Sequence, residues 1–437
     1  MPTLVERCRL RLDEIDPIRL GGRVRQVIGL VIEADGPPAS IGEVCLIRIP
    51  DEGRTIKTEV VGFRDNKTLL MPIGEMRGIG PGCEVIATGS PLMIKVGEGL
   101  RGRILDGLGD PIDGKGPLEY QTEYPITNLP PDPLTRRRVS EVLQLGIRAI
   151  DATLTVGRGQ RFGIFSGSGV GKSTLMGMVA RFTSAEVNVI ALIGERGREV
   201  RDFMEKDLGE EGLARSVLIV ATGDKPPLER LRGAFTAHTI AEYFRDRGYD
   251  VMLMLDSVTR FARSQREIGL AIGEPPAQRG FTPSVFTLLP RLLERSGTSS
   301  TGSITALYTV LVDSDDMNEP IADNVRAIVD GHIVLSRELA TKSHYPAIDV
   351  LESVSRLMID IVPPSHEQAG RRLREVLATI RDAQDLINIG AYVKGSNPKI
   401  DYAISMIEQV NEFLVQGIWE RADYEETINR LLEMFSK

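Results

Sequence analysis

The chain has 437 residues, too many for one ordinary core, so two or three domains are expected. Apolar residues make up 42%, charged residues 26%, and the net charge is −8, the composition of a soluble globular protein and not that of a general nucleic-acid binder. Three widely spaced cysteines, Cys8, Cys45 and Cys83, give no disulfide framework, and neither a membrane-spanning run nor a secretory leader is read in the chain, so a reducing, cytoplasmic setting is expected. The four histidines, His238, His332, His344 and His366, lack metal-ligand spacing and read as packing or surface residues.

In chain order, the N-terminal stretch ERCRLRLDEID has apolar residues at a period of 3.6 and reads either as a partner-binding helix or as a cap on the neighbouring strands. Residues 22 to about 92 read as short strands. GRVRQVIGLVIEADG, GEVCLIRI and TIKTEVVGF carry β-branched residues between Gly, Pro and Asp breaks, which predicts a small β-barrel or sandwich with Cys83 buried inside it. From about residue 145, apolar runs alternate with amphipathic segments: RFGIFSG, VNVIALIGE, SVLIVATGD, VMLMLDS and ITALYTVLVDSDD. Runs apolar on both faces and separated by helices predict a parallel sheet covered on both sides. After VPPS the chain reads as helical, with Ser365 and Gln368 as a capping box before the stripe Leu373, Val376, Leu377, Ile380, Ile387, and with Asp423 and Glu426 repeating the device. The expected organisation is a segment and β-barrel over 1–92, an α/β core over 93–362 and a helical domain over 363–437.

Within the core, FGIFSGSGVGKSTLMGMVARF holds a glycine-rich loop between a strand and a helix. Its pattern departs from G-x-x-x-x-G-K-[ST] at the first position, where Ser166 stands. That position lies where the strand enters the loop, away from the phosphates, so Ser is acceptable there if its φ is negative. The residues expected to hold a nucleotide are Gly167, Ser168, Gly169, Val170, Gly171, Lys172, Ser173 and Thr174. Backbone N–H groups cradle phosphate oxygens, Lys172 bridges the β and γ phosphates, and the Ser173 hydroxyl ligates Mg²⁺.

Hydrolysis needs further groups. Asp256 ends the apolar run VMLML, the place for a carboxylate that holds Mg²⁺ through water, or for the N-cap of the following helix. Glu195 ends VNVIALIGE, where it either orients the attacking water or pairs with Arg196 or Arg198 at the surface. Asp313, Asp315 and Asp316 follow another strand and either order water and Mg²⁺ or form a polar turn.

The segment HYPAIDVLESVSRLM is similar to the signature of the rotary ATP synthase α and β subunits. GERGREVRDF, LDSVTRFARSQREIGLAIGEPP, PSVFTLLPRLLERSG and DDMNEPIAD resemble the type III secretion ATPases of that superfamily, and IGAYVKGSNPKIDYAI resembles the flagellar members. The resemblance covers nearly the whole chain. It implies a RecA-like P-loop core with ATP and Mg²⁺ as ligands, and a homohexameric ring that hydrolyses ATP to energise flagellar protein export, with a virulence-type secretion ATPase or a rotary catalytic subunit as alternatives. It assigns Glu195 as catalytic glutamate, Arg196 and Arg260 as arginines around the γ-phosphate, and Tyr345 as the residue stacking on adenine, with Phe413 and Trp419 as candidates to complete that pocket. It makes Arg356 an arginine finger given to the neighbouring subunit, as against a surface arginine pairing with Glu352 one helical turn away. The implied partners are a stator-like regulatory dimer, a central stalk protein, chaperone–substrate complexes and the membrane export gate, with the ring held peripherally at the inner face of the cytoplasmic membrane. A nucleic-acid translocase and a nucleotide-binding subunit without turnover are the further alternatives. The acidic balance weighs against the first and Glu195 against the second.

Overall fold

The computed structural model describes residues 21–50, 53–312 and 316–436. The N-terminal ERCRLRLDEID stretch, Cys8, Asp313 and Asp315 lie outside the described residues. Two compact units divide the chain: residues 21–93 with 226–229 and 267–275 in one, and 94–225, 230–266 and 276–436 in the other.

The first unit is built on six strands: β1 (Gly21–Ile28), β2 (Val31–Asp35), β3 (Glu43–Arg48), β4 (Thr55–Arg64), β5 (Lys67–Pro72) and β6 (Glu84–Pro91). They close in the order β1-β2-β5-β4-β3-β6, so the barrel alternative holds and the open sandwich does not. Closure leaves no free sheet edge. Ile32, Ile47, Val60, Leu70 and Val85 fill the interior, and Cys45 and Cys83 are buried free thiols among them. Burial pushes the Cys45 thiol up to about 12, which removes it from thiolate chemistry. Between β4 and β5 the turn is Asp65–Asn66, both left-handed (φ 47° and 63°), the conformation that a two-residue hairpin requires.

The second unit holds a twisted sheet of β7 (Ile104–Asp106), β8 (Arg161–Ser166), β9 (Val187–Ile193), β10 (Ser216–Ala221), β11 (Asp250–Asp256), β12 (Gly297–Thr298), β13 (Ser303–Leu311), β14 (Gly331–Leu335) and β15 (Ile348–Ser355). The order is β15-β14-β8-β13-β11-β9-β10-β7, with β12 beside β13. Every pairing is parallel except β14–β15 and β12–β13. All seven residues of β9 are buried, the continuous apolar run expected of a strand covered on both faces. Helix α1 (Lys172–Phe182) follows β8, and Leu175, Met178 and Val179 pack into the core as its spacing predicts. Helix α2 (Gly197–Asp202) comes after β9.

The tail forms α3 (Pro364–Asn388), α4 (Pro398–Leu414) and α5 (Tyr424–Met434). Leu373 and Val376 of the α3 stripe are buried, and Leu377 and Ile380 partly so. Asp423 caps α5 by accepting from the Glu426 N–H at 3.0 Å, as expected. The expected box at Ser365 and Gln368 is not formed. Helix α3 already starts at Pro364 behind Pro363, because proline's fixed φ suits the first helical position. Among the described residues, no helix is long and apolar enough to cross a membrane.

Candidate active site

Parallel register sets three strand ends side by side. Ser166 ends β8, Asp256 ends β11 opposite Leu192 of β9, and Glu195 follows β9 after Gly194. All three lie at the carboxyl edge of the sheet, where open α/β sheets bind ligands. Ser166 is an ordinary extended residue. It pairs with Leu311 and Leu335, and its carbonyl accepts from the Val312 N–H at 3.0 Å. The left-handed conformation falls instead on Gly169 (φ 78°) and Gly171 (φ 92°), the glycines nearest the expected phosphates. The missing first glycine therefore takes nothing from the loop.

Lys172, the first residue of α1, reaches across this edge. Its Nζ donates to Asp256 Oδ1 and lies 3.8 Å from Glu195 Oε1. Thr309 of β13 donates its hydroxyl to the same Asp256 oxygen at 2.7 Å. Arg260 Nε stands 3.3 Å from Glu195 Oε1, an ion-pair contact that does not satisfy that buried oxygen with a hydrogen bond. Burial, then the charge of Asp256 and a hydrogen bond shared with Glu199, raise the Glu195 carboxyl above its ordinary range. Glu199, the acceptor of that bond, is lowered. A basic carboxylate held at the nucleotide edge is suited to orienting or deprotonating water. Arg196 is exposed and donates to Glu199 at 3.2 Å, so it reaches this cluster only through Glu199.

Ser173, in the first turn of α1, and Asp256 are hard oxygen donors on one end of the sheet. Among the described residues no group of three or more His, Cys, Asp or Glu is arranged to hold a metal by itself. That donor set fits Mg²⁺, which takes one or two protein oxygens and completes its shell with phosphate and water.

A cavity of about 460 Å³ opens beside the loop. Gly169, Gly171, Thr174, Leu175 and Met178 line one side, Leu335, Tyr345, Pro346 and Ala347 another, and Val415 to Ile418 close it. Tyr345 is 42% exposed, so it is not core packing, and its ring borders Gly171. Phe413 and Trp419 do not complete the pocket. Phe413 is buried in the core, and Trp419 lies 66% exposed with the Arg181 guanidinium 4.1 Å from its ring centre. The segment between them does so, held by Gln416: its N–H donates to Tyr345 O at 2.9 Å, and its side chain bonds Arg148 N at 2.7 Å and Gly146 O at 2.9 Å.

Arg356 is elsewhere. It follows β15, which runs antiparallel to β14, with Ser355 opposite Gly331 and Gly331 opposite Phe162. Its N–H donates to Asp330 O at 3.0 Å, and Asp330 N–H donates to Arg161 O at 2.9 Å. Arg356 thus stands at the start of β8, whereas the phosphate loop leaves its end. Five residues at about 3.3 Å each separate the two by roughly 16 Å, farther than an arginine side chain reaches. The helical pairing with Glu352 is also absent. Residues 348–355 form a strand, and Glu352 accepts from Arg381 at 2.9 Å.

The family models fall on the same parts. Residues 24–89 match the β-barrel domain of the ATP synthase alpha/beta family, 146–355 its nucleotide-binding domain, and 362–433 the T3SS EscN ATPase C-terminal domain. The chain is 55% identical over 424 residues to a flagellum-specific ATP synthase of Bacillus subtilis, covering 97% of each. This chain belongs to the type III secretion ATPases of the ATP synthase α/β family. A type 3 secretion system ATPase of Xanthomonas euvesicatoria is 52% identical over 94% of this chain and 93% of that one. The assembled secretion ATPase EscN of enteropathogenic E. coli superposes with a TM-score of 0.88 at 44% identity, covering 94% of this chain and 99% of that chain. EscN in complex with its central stalk EscO gives 0.87.

For a secretion ATPase of this kind, three features of the site carry no distinctive sequence signal. Thr309 sits inside an apolar run. Glu199, four residues after Glu195, reads as part of a charged loop. The segment 415–418 lines its pocket partly with backbone, which leaves no residue-type pattern.

Proposed function

We propose that this chain hydrolyses ATP in a ring of identical subunits and that the energy drives flagellar type III protein export. The position of Arg356 carries the reading: the residue expected to neutralise the transition state stands at the far end of the strand from its own phosphate loop. Each site is then complete only when an adjoining copy supplies that cation.

In this mechanism the triphosphate draws Lys172 away from Asp256 toward the β and γ oxygens, while backbone N–H groups of 169–172 hold the phosphates. Glu195 in its ionised form, braced by Arg260, orients water for in-line attack and takes its proton. Arg356 of the neighbouring copy stabilises the charge spreading on the γ-phosphate. Ser173 and Asp256 would hold Mg²⁺, which would supply charge neutralisation at the phosphates. The adenine lies in the cavity against Tyr345 and the 415–418 segment.

The complex of EscN with its stalk supports a central stalk protein as a partner here. A stator-like dimer, chaperone–substrate complexes and the export gate, with peripheral attachment to the inner membrane face, come with the same assignment. The match of residues 362–433 to the secretion-type C-terminal domain favours export over a rotary catalytic subunit. The 52% identity to the Xanthomonas protein sustains a virulence-type secretion system as second reading. Complementation of a strain lacking its flagellar export ATPase tests the choice: restored motility supports the flagellar reading, and restored effector secretion alone supports the other.

A further inference from the structure

The strand that ends in Arg356 is the last of its sheet. β15 pairs with β14 on one side only, and that pairing breaks register between His332 and Val334, so carbonyl groups of β15 between Asp349 and Val354 need partners from elsewhere. One side chain of the helical tail supplies them. Arg374, on α3, donates from Nη1 to Val350 O at 2.6 Å and to Ser353 O at 3.1 Å, and from Nη2 to Thr153 O at 2.9 Å. Two turns further along α3, Arg381 grips the same strand through Asp349 (2.7 Å) and Glu352 (2.9 Å). Arg381 is an exposed clamp on side chains. Arg374 is a half-buried clamp on backbone, three residues from the finger.

The finger has little else to hold it. Beyond its backbone bond to Asp330, Arg356 is exposed, and its Nη2 donates to Arg326 O at 3.2 Å. Its direction is therefore set by the course of β15. Neither Arg374 nor its three acceptors lie among the residues that line the base cavity or surround Lys172.

We propose that Arg374 is a positioning residue for catalysis in the adjoining copy: it fixes the finger strand to the helical tail, so the placement of Arg356 follows the placement of that tail. This rests on the reading that Arg356 acts across the subunit seam. A planar guanidinium serves three carbonyls in different directions, and a lysine ammonium on a flexible stem does not reproduce that geometry. A displacement of about 1 Å in a catalytic group lowers turnover by about 10²-fold.

The test uses the full chain with Arg374→Lys and Arg374→Met. Both are expected to lose roughly 10- to 100-fold in kcat with KM for ATP within about threefold, since each subunit's own nucleotide pocket is intact. Mixing separates positioning from damage. Arg374→Met mixed with Glu195→Gln recovers activity, because an intact pocket then meets an intact finger, whereas Arg374→Met mixed with Arg356→Ala does not. Arg356→Ala mixed with Glu195→Gln is the control for the shared site. If that control is rescued but neither Arg374 variant is rescued by Glu195→Gln, or if both variants turn over at the wild-type rate, the positioning role is wrong and the shared site stands. A control that is not rescued removes the shared site itself. Should the methionine variant not fold, the lysine variant is mixed in the same way and decides the question.

Discussion

Lys172 and Asp256 form a buried ion pair across the phosphate-binding edge, with side chains 11% and 4% exposed. Thr309 adds a hydrogen bond to the same carboxylate. If Lys172 engages phosphate as proposed, the triphosphate competes with Asp256 for it. Asp256→Asn removes that competition. It is expected to keep or tighten ATP binding in the presence of EDTA while phosphate release falls by about 10²- to 10³-fold. Equilibrium binding and steady-state turnover check this, and loss of Mg²⁺-free binding would contradict it.

The loop's unusual first position gives a second test. Ser166 is an extended strand residue, so Ser166→Gly restores the common pattern without changing any phosphate contact. ATPase activity is expected to stay within about twofold, with stability lowered by roughly 0.5–1 kcal/mol from the glycine in a strand. By contrast Gly171→Ala places a side chain at φ 92° against the Tyr345 ring and is expected to abolish nucleotide binding. Isothermal titration with ATP separates the two.

Tyr345 offers its ring to the cavity, and base–aromatic stacking is worth about 1–3 kcal/mol. Tyr345→Ala is expected to raise KM for ATP by about 5- to 150-fold with kcat little changed, and Tyr345→Phe to be near neutral. An unchanged KM in the alanine variant would place the base elsewhere.

Stability should fall in acid through His238. The ring is fully buried between Ala234 O (2.8 Å) and the Tyr308 hydroxyl (3.0 Å), and burial first, then the Arg295 charge, lower it from 6.5 to about 3. Because the folded value is depressed, its contribution is present above pH 6.5 and is lost as pH falls toward 3, where the unfolded chain binds a proton that the folded chain refuses. The slope is at most about 1.4 kcal/mol per pH unit. His332, His344 and His366 shift in the same direction, so His238→Gln should flatten the decline in Tm between pH 6.5 and 5 without removing it. A parallel decline in both proteins would assign the acid sensitivity to other groups.

Much of this was legible in the sequence, for physical reasons. Strands covered on both faces must be apolar throughout, so the carboxylates Glu195 and Asp256 stood out where such runs ended. The phosphate-loop spacing marked Gly169 and Gly171, and their left-handed φ in the structure accounts for glycine at both. What escaped was encoded in backbone or in distant partners. The 415–418 segment is held by Gln416 and lines its pocket partly with main chain, and the flanking aromatics Phe413 and Trp419 come from the family resemblance, not from any pattern in the residues. Glu352 and Arg356 are four apart, which suits a helix, but residues 348–355 are an edge strand whose unpaired carbonyls are answered by Arg374 from the tail. Spacing alone does not reveal a partner more than 20 positions away.

The account depends on a site shared between copies, and the most direct measurement is ATPase rate per subunit against protein concentration, for Glu195→Gln and Arg356→Ala alone and mixed. A finger of this kind is worth about 10³ to 10⁵ in rate, so each variant alone should be nearly inactive. We expect the wild-type rate per subunit to rise steeply with concentration, and the mixed variants to recover a fraction of it. A rate independent of concentration from a proven monomer, with no recovery on mixing, would contradict the shared site.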